Sequence, residues 1–434
     1  MFHTTLLAFA ALCGCSGGGD VPIGADVPTS FYVSPEGSDL NPGTRSRPWY
    51  SLAFATEQLR PGDTLQLAAG EYTPDTTGVL SVDCRGTAQL GLPGAPIVVR
   101  AEVERSVKLK GDGALVPLRL EGCAHWIVEG LVLTNEHRLD VPSGVDVGSV
   151  ALVLESRDVT LRRLLMASSN NARHSHLLRL LHSENVLVEE CEAYDFYHNA
   201  FEAVRTDRIT FRRNYLHSRY AAAAGAYSGS GMRGEVGIQI EESRDALLEN
   251  NLAEVVVNGF AVVGRHARSP FDEPPPYPPG GARMYGNLVR DSLGFGFRIE
   301  SRCEAADPCE LPERLASSTQ VVDGVVFEAA GGVSIDAAPE TRISNVTAAR
   351  VTNGFHLLRG AGNLGARYAA SVTHSLTRGF NGVGFWAGSA DEWQFERCAT
   401  QSPGLGAVSF SPLEKRFLEP LEAADDDACV AADR

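Results

Sequence analysis

Glu241, Glu300 and Asp336 are three carboxylates standing at the same step of a recurring alternating segment, and Arg179 and Arg298 stand two residues before that step. Two carboxyl groups about 5 Å apart suit retaining glycoside hydrolysis, and a separation of about 6.5–9.5 Å suits the inverting reaction. If the segments stack as neighbouring parallel strands about 4.8 Å apart, Glu300 with Asp336 approaches the first spacing. Glu241 with Glu300, two layers apart, approaches the second. A lyase acting on uronic acids instead needs cations against the substrate carboxylate and a base for the neighbouring proton. Arg179 and Arg298 could supply the cations. No lysine occurs between Gly111 and Glu414, so the base would be His356 or an arginine of unusually low pKa. The candidate catalytic residues are therefore Arg298, Glu300, Asp336 and Glu241. Glu202 and Gln239 extend the polar row and Trp386 offers a ring to a sugar, so Arg179, Glu202, Gln239, His356 and Trp386 are the candidate substrate-binding residues. The plainer reading is that outward carboxylates on an acidic protein are solvated surface, and that Trp386 packs beneath the tail.

These residues sit in VALVL, HLLRLL, NAFEAV, GIQIE, NGFAVV, GFGFRIE, GGVSID, NGFHLL and NGVGFWA, which share the order small, apolar, variable, apolar. Strict alternation predicts strands with one buried face. The variable position carries Val153, Arg179, Glu202, Gln239, Ala261, Arg298, Ser334, His356 and Gly384 in turn. Two places on come Leu181, Val204, Glu241, Val263, Glu300, Asp336, Leu358 and Trp386. A second family of segments, HWIVEGLVL, DVTLRRLLM, NVLVEECEA, RITFRRNYL, DALLENNLA and ARMYGNLV, aligns on Trp126, Val159, Val186, Ile209, Ala246 and Ala282. Each reads as one strand and a turn. Recurrence at this period predicts stacked coils, none stable alone, with capped ends. The stretch SLAFATEQL, with Ser51 as N-cap and Pro61-Gly62 as stop, predicts a short capping helix.

At this point FYVSPEGSDLNPGT, the short helix and RPGDTLQLAAGEY resemble the opening of secreted right-handed parallel β-helix proteins of the pectate lyase-like superfamily. The resemblance implies an all-β fold, a right-handed parallel β-helix with a short N-terminal capping helix. It also implies that ligand lies along a sheet face made by equivalent strands of successive coils. That superfamily holds polysaccharide lyases, glycoside hydrolases and proteins of unknown activity, so it speaks for fold and not for chemistry. The insertions 136–149, 219–235, 265–283 and 301–317 would wall a groove on that face, with Tyr277 on the stiff DEPPPYPPGG arm. SPEGSDLNPGT itself reads as tight turns in which Asp39 and Asn41 bond nearby backbone, with calcium as the alternative.

A formal charge of −16, from 38 basic against 54 acidic residues, excludes nucleic acid as partner. Leu6 to Leu12 is too short to span a bilayer and suits a signal peptide. Leu12, Cys13, Gly14 and Cys15 resemble a bacterial lipobox, which implies lipidation at Cys15. The expected organisation is a signal peptide at 1–15, a tether at 16–30, a cap at 31–72, the β-helix at 73–410 and a tail at 411–434. The chain is thus expected to be exported to the outer membrane or cell surface, touching membrane only through its lipid, or to be secreted or periplasmic if the leader is an ordinary secretory signal, and to act as a monomer on a polysaccharide without a cofactor. A non-catalytic surface or adhesion protein is the alternative. In an export route disulfides persist, and Cys303–Cys309, Cys398–Cys429 and Cys84–Cys123 are the pairs considered, leaving Cys191 as a buried thiol. Three motifs are set aside: GSGMRG as a loop, HSH at 174–176 for want of a third ligand nearby in sequence, and the sequon at Asn345. In YDFYHNAFE, Tyr194, Tyr197, His198, Asn199 and Glu202 surround a turn that reads either as architecture or as a ligand site.

Overall fold

The computed structural model describes residues 29–87, 89–135, 149–168, 176–196, 198–218, 234–264, 280–301, 316–358, 370–387, 393–401 and 408–410. Cys15, Cys303, Cys309, Cys429, Tyr277, Tyr197 and most of the four insertions lie outside them. Short strands alternate with tight turns, and every pairing between named strands is parallel to a strand one coil away, so the chain winds as a right-handed parallel β-helix. Among the described residues one sheet holds thirteen strands, from Ser30–Val33 to Trp393–Glu396. A second sheet contains two stacks, a short-stranded one through Glu192–Tyr194 and Tyr215–His217 and a third face through Asn199–Val204 and Val236–Glu241. The long strands Leu288–Ser301, Val325–Asp336 and Thr347–Leu358 run through both stacks and join them.

The repeat alignment holds on the first sheet. Val159 pairs with both Trp126 and Val186, and the next coils continue in the same register through Thr210, Leu247 and Arg283. What differs is the content of each unit. HWIVEGLVL is two strands rather than one, Ala124–Glu129 and Val132–Asn135, separated by a sharp turn at Gly130. The turn works because one residue adopts the left-handed region, with φ 55° at Glu190, 53° at Arg213 and 54° at Asn250. The side chain that follows then points inward. Asn214 and Asn251 give both their backbone N–H and their Nδ2 to the Oδ1 of Asn251 and Asn287 respectively, at 2.9–3.0 Å. Each Nδ2 also reaches a main-chain carbonyl, as Asn251 does at Phe211.

A parallel ladder of hydroxyls lines the turn into the first sheet. The amides of Cys123, Ser156, Ser183 and Thr206 donate in succession to Ser156, Ser183, Thr206 and Ser243. Between the ladders the core is filled by Phe201, Phe211, Phe260, Phe297, Phe355 and Phe385, all fully buried. The small first residue of the alternating segments is explained by close approach. A Cβ on Gly259 would stand 2.3 Å from Val289 Cγ2, and one on Gly354 would stand 2.2 Å from the Gly384 carbonyl oxygen.

The capping helix is Leu52–Gln58, with the Ser51 side chain accepting from the Phe54 amide and Leu52, Ala55 and Leu59 buried. Asp39 bonds further away than its own turn: it accepts from the Tyr50 and Ser51 amides and from Ser51 Oγ at 2.8–2.9 Å. Partial burial pushes its carboxyl up, but the Ser51 and Tyr50 bonds outweigh this and hold its pKa below the ordinary value. Both oxygens thus anchor the helix. Cys84 and Cys123 form a disulfide. Cys398 is buried beside the Val372 carbonyl with no disulfide among the described residues, and Cys429, the partner considered for it, lies outside them. Cys191 is free and buried, its thiol pushed up to about 12 by desolvation.

Asn251→Ala would strand partners on both neighbouring coils, each unsatisfied buried group costing roughly 1–3 kcal/mol. We expect a clearly lower urea midpoint, whereas Asn345→Ala, which loses an exposed bond to Asp323, should move it little. Equal effects would overturn the ladder account.

Candidate functional site

The third face carries the candidate residues. Its strands are in register, so Arg119, Leu152, Arg179, Glu202, Gln239, Ala261, Arg298, Ser334, His356 and Trp386 form one row across successive coils. The adjacent row runs Leu154, Leu181, Val204, Glu241, Val263, Glu300, Asp336 and Leu358. Two assignments need correction. Val153 belongs to the core and Leu152 takes the outward place, because VALVL is apolar throughout and alternation cannot set its phase. Trp386 lies beside His356 in the first row, not in the second, where Gly384 had been placed ahead of it.

The expected residues share a face, yet that face is not uniformly open. Arg179, Glu202, Gln239 and Glu300 are 5–8% exposed, and Leu152, Leu181 and Val204 form a separate apolar cluster with Val116 outside the main core. Burying charge is costly unless it is paired, and these charges are paired. The result is two centres about three coils apart.

The enclosed centre surrounds Glu202. Its Oε2 accepts from Arg179 Nε at 2.8 Å and stands 3.5 Å from His176 Nε2. Its Oε1 accepts from Asn199 Nδ2 at 3.1 Å and Gln239 Nε2 at 3.4 Å. Gln239 also donates to Glu241 Oε2 at 2.9 Å. His198 joins from the turn before the strand, its Nε2 3.1 Å from Glu235 and its ring edge-on to His176 with centroids 4.9 Å apart. The third group that HSH lacked in sequence thus comes from the next coil. Asn199 and His198 belong to the YDFYHNAFE turn considered as a ligand site and His176 had been set aside, whereas Glu235 was not foreseen, although strand register aligns His198 with Glu235 once Asn199 is paired with Val236.

The more open centre is Arg298, Glu300, Asp336, His356 and Trp386. Arg298 Nε donates to Glu300 Oε2 at 2.6 Å, and the guanidinium is about one-third exposed. Asp336 sits on the next strand, directly beside Glu300. Burial, then the Glu300 charge, raises its pKa above 3.8, only partly offset by Arg298, and its Oδ1 has no hydrogen-bond partner among the described residues. His356 is stacked on Trp386 at 4.2 Å and faces Phe295 at 6.0 Å. Burial lowers the His356 pKa, favouring the neutral ring. One face of the Trp386 indole is therefore already used against His356.

No family model matches the chain. Pectate lyase PEL9 of Emericella nidulans is 39% identical over 82 residues, 19% of this chain and 18% of that protein. The uncharacterized protein YwoF of Bacillus subtilis is 36% identical over 82 residues, 19% of this chain and 16% of that protein. The chain therefore spans less than a fifth of the length of the curated relatives it matches. Among solved structures, the catalytic unit of the thermostable GH87 alpha-1,3-glucanase from Streptomyces thermodiastaticus superposes with a TM-score of 0.51 at 16% identity, covering 83% of this chain and 62% of that one. The chain is a parallel β-helix, the fold it shares with that structure. In such a β-helix both centres lie on one face of the stack, where a polymer could cross several coils.

Because folding raises the Asp336 pKa, the folded state holds that proton more tightly than the unfolded chain. The favourable contribution is complete below the ordinary value of 3.8 and is lost as pH rises through the folded value. Asp336→Asn, which mimics the protonated acid, should be more stable than the parent at neutral pH, with the difference vanishing below about pH 3.8. A variant less stable than the parent at neutral pH would contradict the assignment.

Proposed function

We propose that the protein binds a polysaccharide along the third face and cleaves it by glycoside hydrolysis at the open centre. The observation that carries this reading is the neighbouring pair Glu300 and Asp336, which stand in different surroundings. Glu300 is ion-paired with the Arg298 guanidinium, and Asp336 is biased toward the acid by burial and by the Glu300 charge. Different surroundings are what separate the roles of two carboxyl groups in sugar hydrolysis. Asp336 would protonate the glycosidic oxygen. Glu300, one strand away at about 4.8 Å, would attack the anomeric carbon or stabilise its developing positive charge. Arg298 orients Glu300, and His356 with Trp386 borders the next sugar. Glu241 lies two strands from Glu300, with its carboxylate bonded by Gln239, which leaves it a binding rather than a bond-breaking role.

The relatives support polysaccharide as the substrate class, since one bears the name of a pectate lyase and the matched fold occurs in an alpha-1,3-glucanase. We place the protein outside the cytoplasm, anchored through a lipid on Cys15. The Cys84–Cys123 disulfide agrees with an oxidising compartment. No helix among the described residues is long and apolar enough to cross a membrane.

Incubation with neutral and uronate glycans should release new reducing ends without unsaturated ones. Asp336→Asn and Glu300→Gln should each lower kcat by 100-fold or more, while Trp386→Ala should mainly raise KM. Unsaturated ends would instead indicate elimination, and unchanged turnover in both carboxylate variants would remove this pair from the chemistry. In cells, Cys15→Ala should shift the protein from the membrane fraction to the soluble one; unchanged partitioning would exclude the lipid anchor.

A further inference from the structure

We propose that His176, His198 and Glu202 form a binding site for a divalent transition-metal ion, best matched by Zn2+. One ligating atom from each lies within 4.8 Å of the other two. Two imidazoles and a carboxylate form a donor set suited to zinc, with bonds of about 2.0–2.1 Å. Two ligands of a tetrahedral ion with such bonds stand about 3.3 Å apart. The 3.5 Å between His176 Nε2 and Glu202 Oε2 is close to that value and long for a charge-assisted hydrogen bond. The imidazole and the carboxylate are therefore spaced to share an ion.

Arg179 does not preclude this. A carboxylate oxygen has two lone pairs, and Arg179 Nε at 2.8 Å takes one on Oε2. Asn199 and Gln239 hold the other oxygen. Fixing a ligating carboxylate through such neighbours is the usual task of the groups around a metal. Asn199 adds an independent sign of an absent partner: it is fully buried, and its Oδ1 accepts no hydrogen bond among the described residues. That oxygen is available to a cation or to water bound on one. Glu235, 3.1 Å from His198 Nε2, brings further negative charge. The two imidazoles meet edge-on, with centroids 4.9 Å apart, instead of stacking.

The site lies three strands from Arg298 on the same face, about 14 Å at 4.8 Å per strand. An ion there would brace the strands Leu178–Leu181 and Asn199–Val204 without touching the Glu300–Asp336 pair. The proposal therefore stands whether or not that pair cleaves a glycan.

The test uses full-length protein without a polyhistidine tag, stripped with EDTA and titrated calorimetrically with Zn2+ and, separately, with Ca2+. One Zn2+ per chain is expected, with Ca2+ bound at least tenfold more weakly. His176→Gln and His198→Gln should each weaken Zn2+ binding at least tenfold, and Asn199→Ala by about 10–100-fold. Co2+ added to the parent protein should develop the visible absorption of a tetrahedral nitrogen-ligated site, a readout that survives if a variant fails to fold. Absence of Zn2+ binding, equal affinity in folded His176→Gln, preference for Ca2+ or an octahedral Co2+ spectrum would each overturn the proposal.

Discussion

The constraint on which the rest depends is zero-offset parallel pairing between coils. Each strand hydrogen-bonds to a strand one turn of the solenoid away, so inward residues stack on inward residues and outward on outward. A slip of one residue would turn Phe201 out and Glu202 in. The pairing is secured at the corners, where Asn214, Asn251 and Asn287 pass hydrogen bonds along one edge and Ser156, Ser183, Thr206 and Ser243 along another. These ladders sit where parallel strands end and main-chain amides would otherwise be buried without partners.

Because register is fixed, loops can vary without disturbing the faces. Glu202 and Gln239 are 37 residues apart in the chain, and Arg179 and Glu202 only 23, yet both pairs are direct strand partners. This independence allows a chemically dense face on a repetitive scaffold. Its consequence is that charges are brought within bonding distance by the architecture and must neutralise one another. Arg179 with Glu202 and Arg298 with Glu300 do so, and the Asp336 carboxyl, beside Glu300, responds by retaining its proton more readily.

Much of this was legible in the sequence because alternation and small-residue spacing are local. Trp126, Val159 and Val186 align on sight and pair as aligned, and Arg179, Glu202, Gln239, Arg298 and His356 fall on one row. The reading failed where the pattern has no phase. VALVL is apolar at every position, so Val153 could be exchanged with Leu152, and the glycines of NGVGFWA give no anchor, so Trp386 was shifted by two places. The Asn ladder was visible in RRN, ENN and YGN but was absorbed into turns that were counted with the strand before them.

The meeting of His176 with His198 and Glu202 escaped for a different reason. His176 and His198 lie in the connections before their strands, where sequence offers no periodicity, and they meet only because Leu178 is paired with Phe201. Distance along the chain is thus the wrong measure for ligands on a solenoid. The relevant measure is the step from one coil to the next: His176 is separated from Glu202 by one coil, and that single step brings imidazole and carboxylate to 3.5 Å. Chemistry on this fold is therefore sought at the strand edges, one coil apart, as well as along the regular rows.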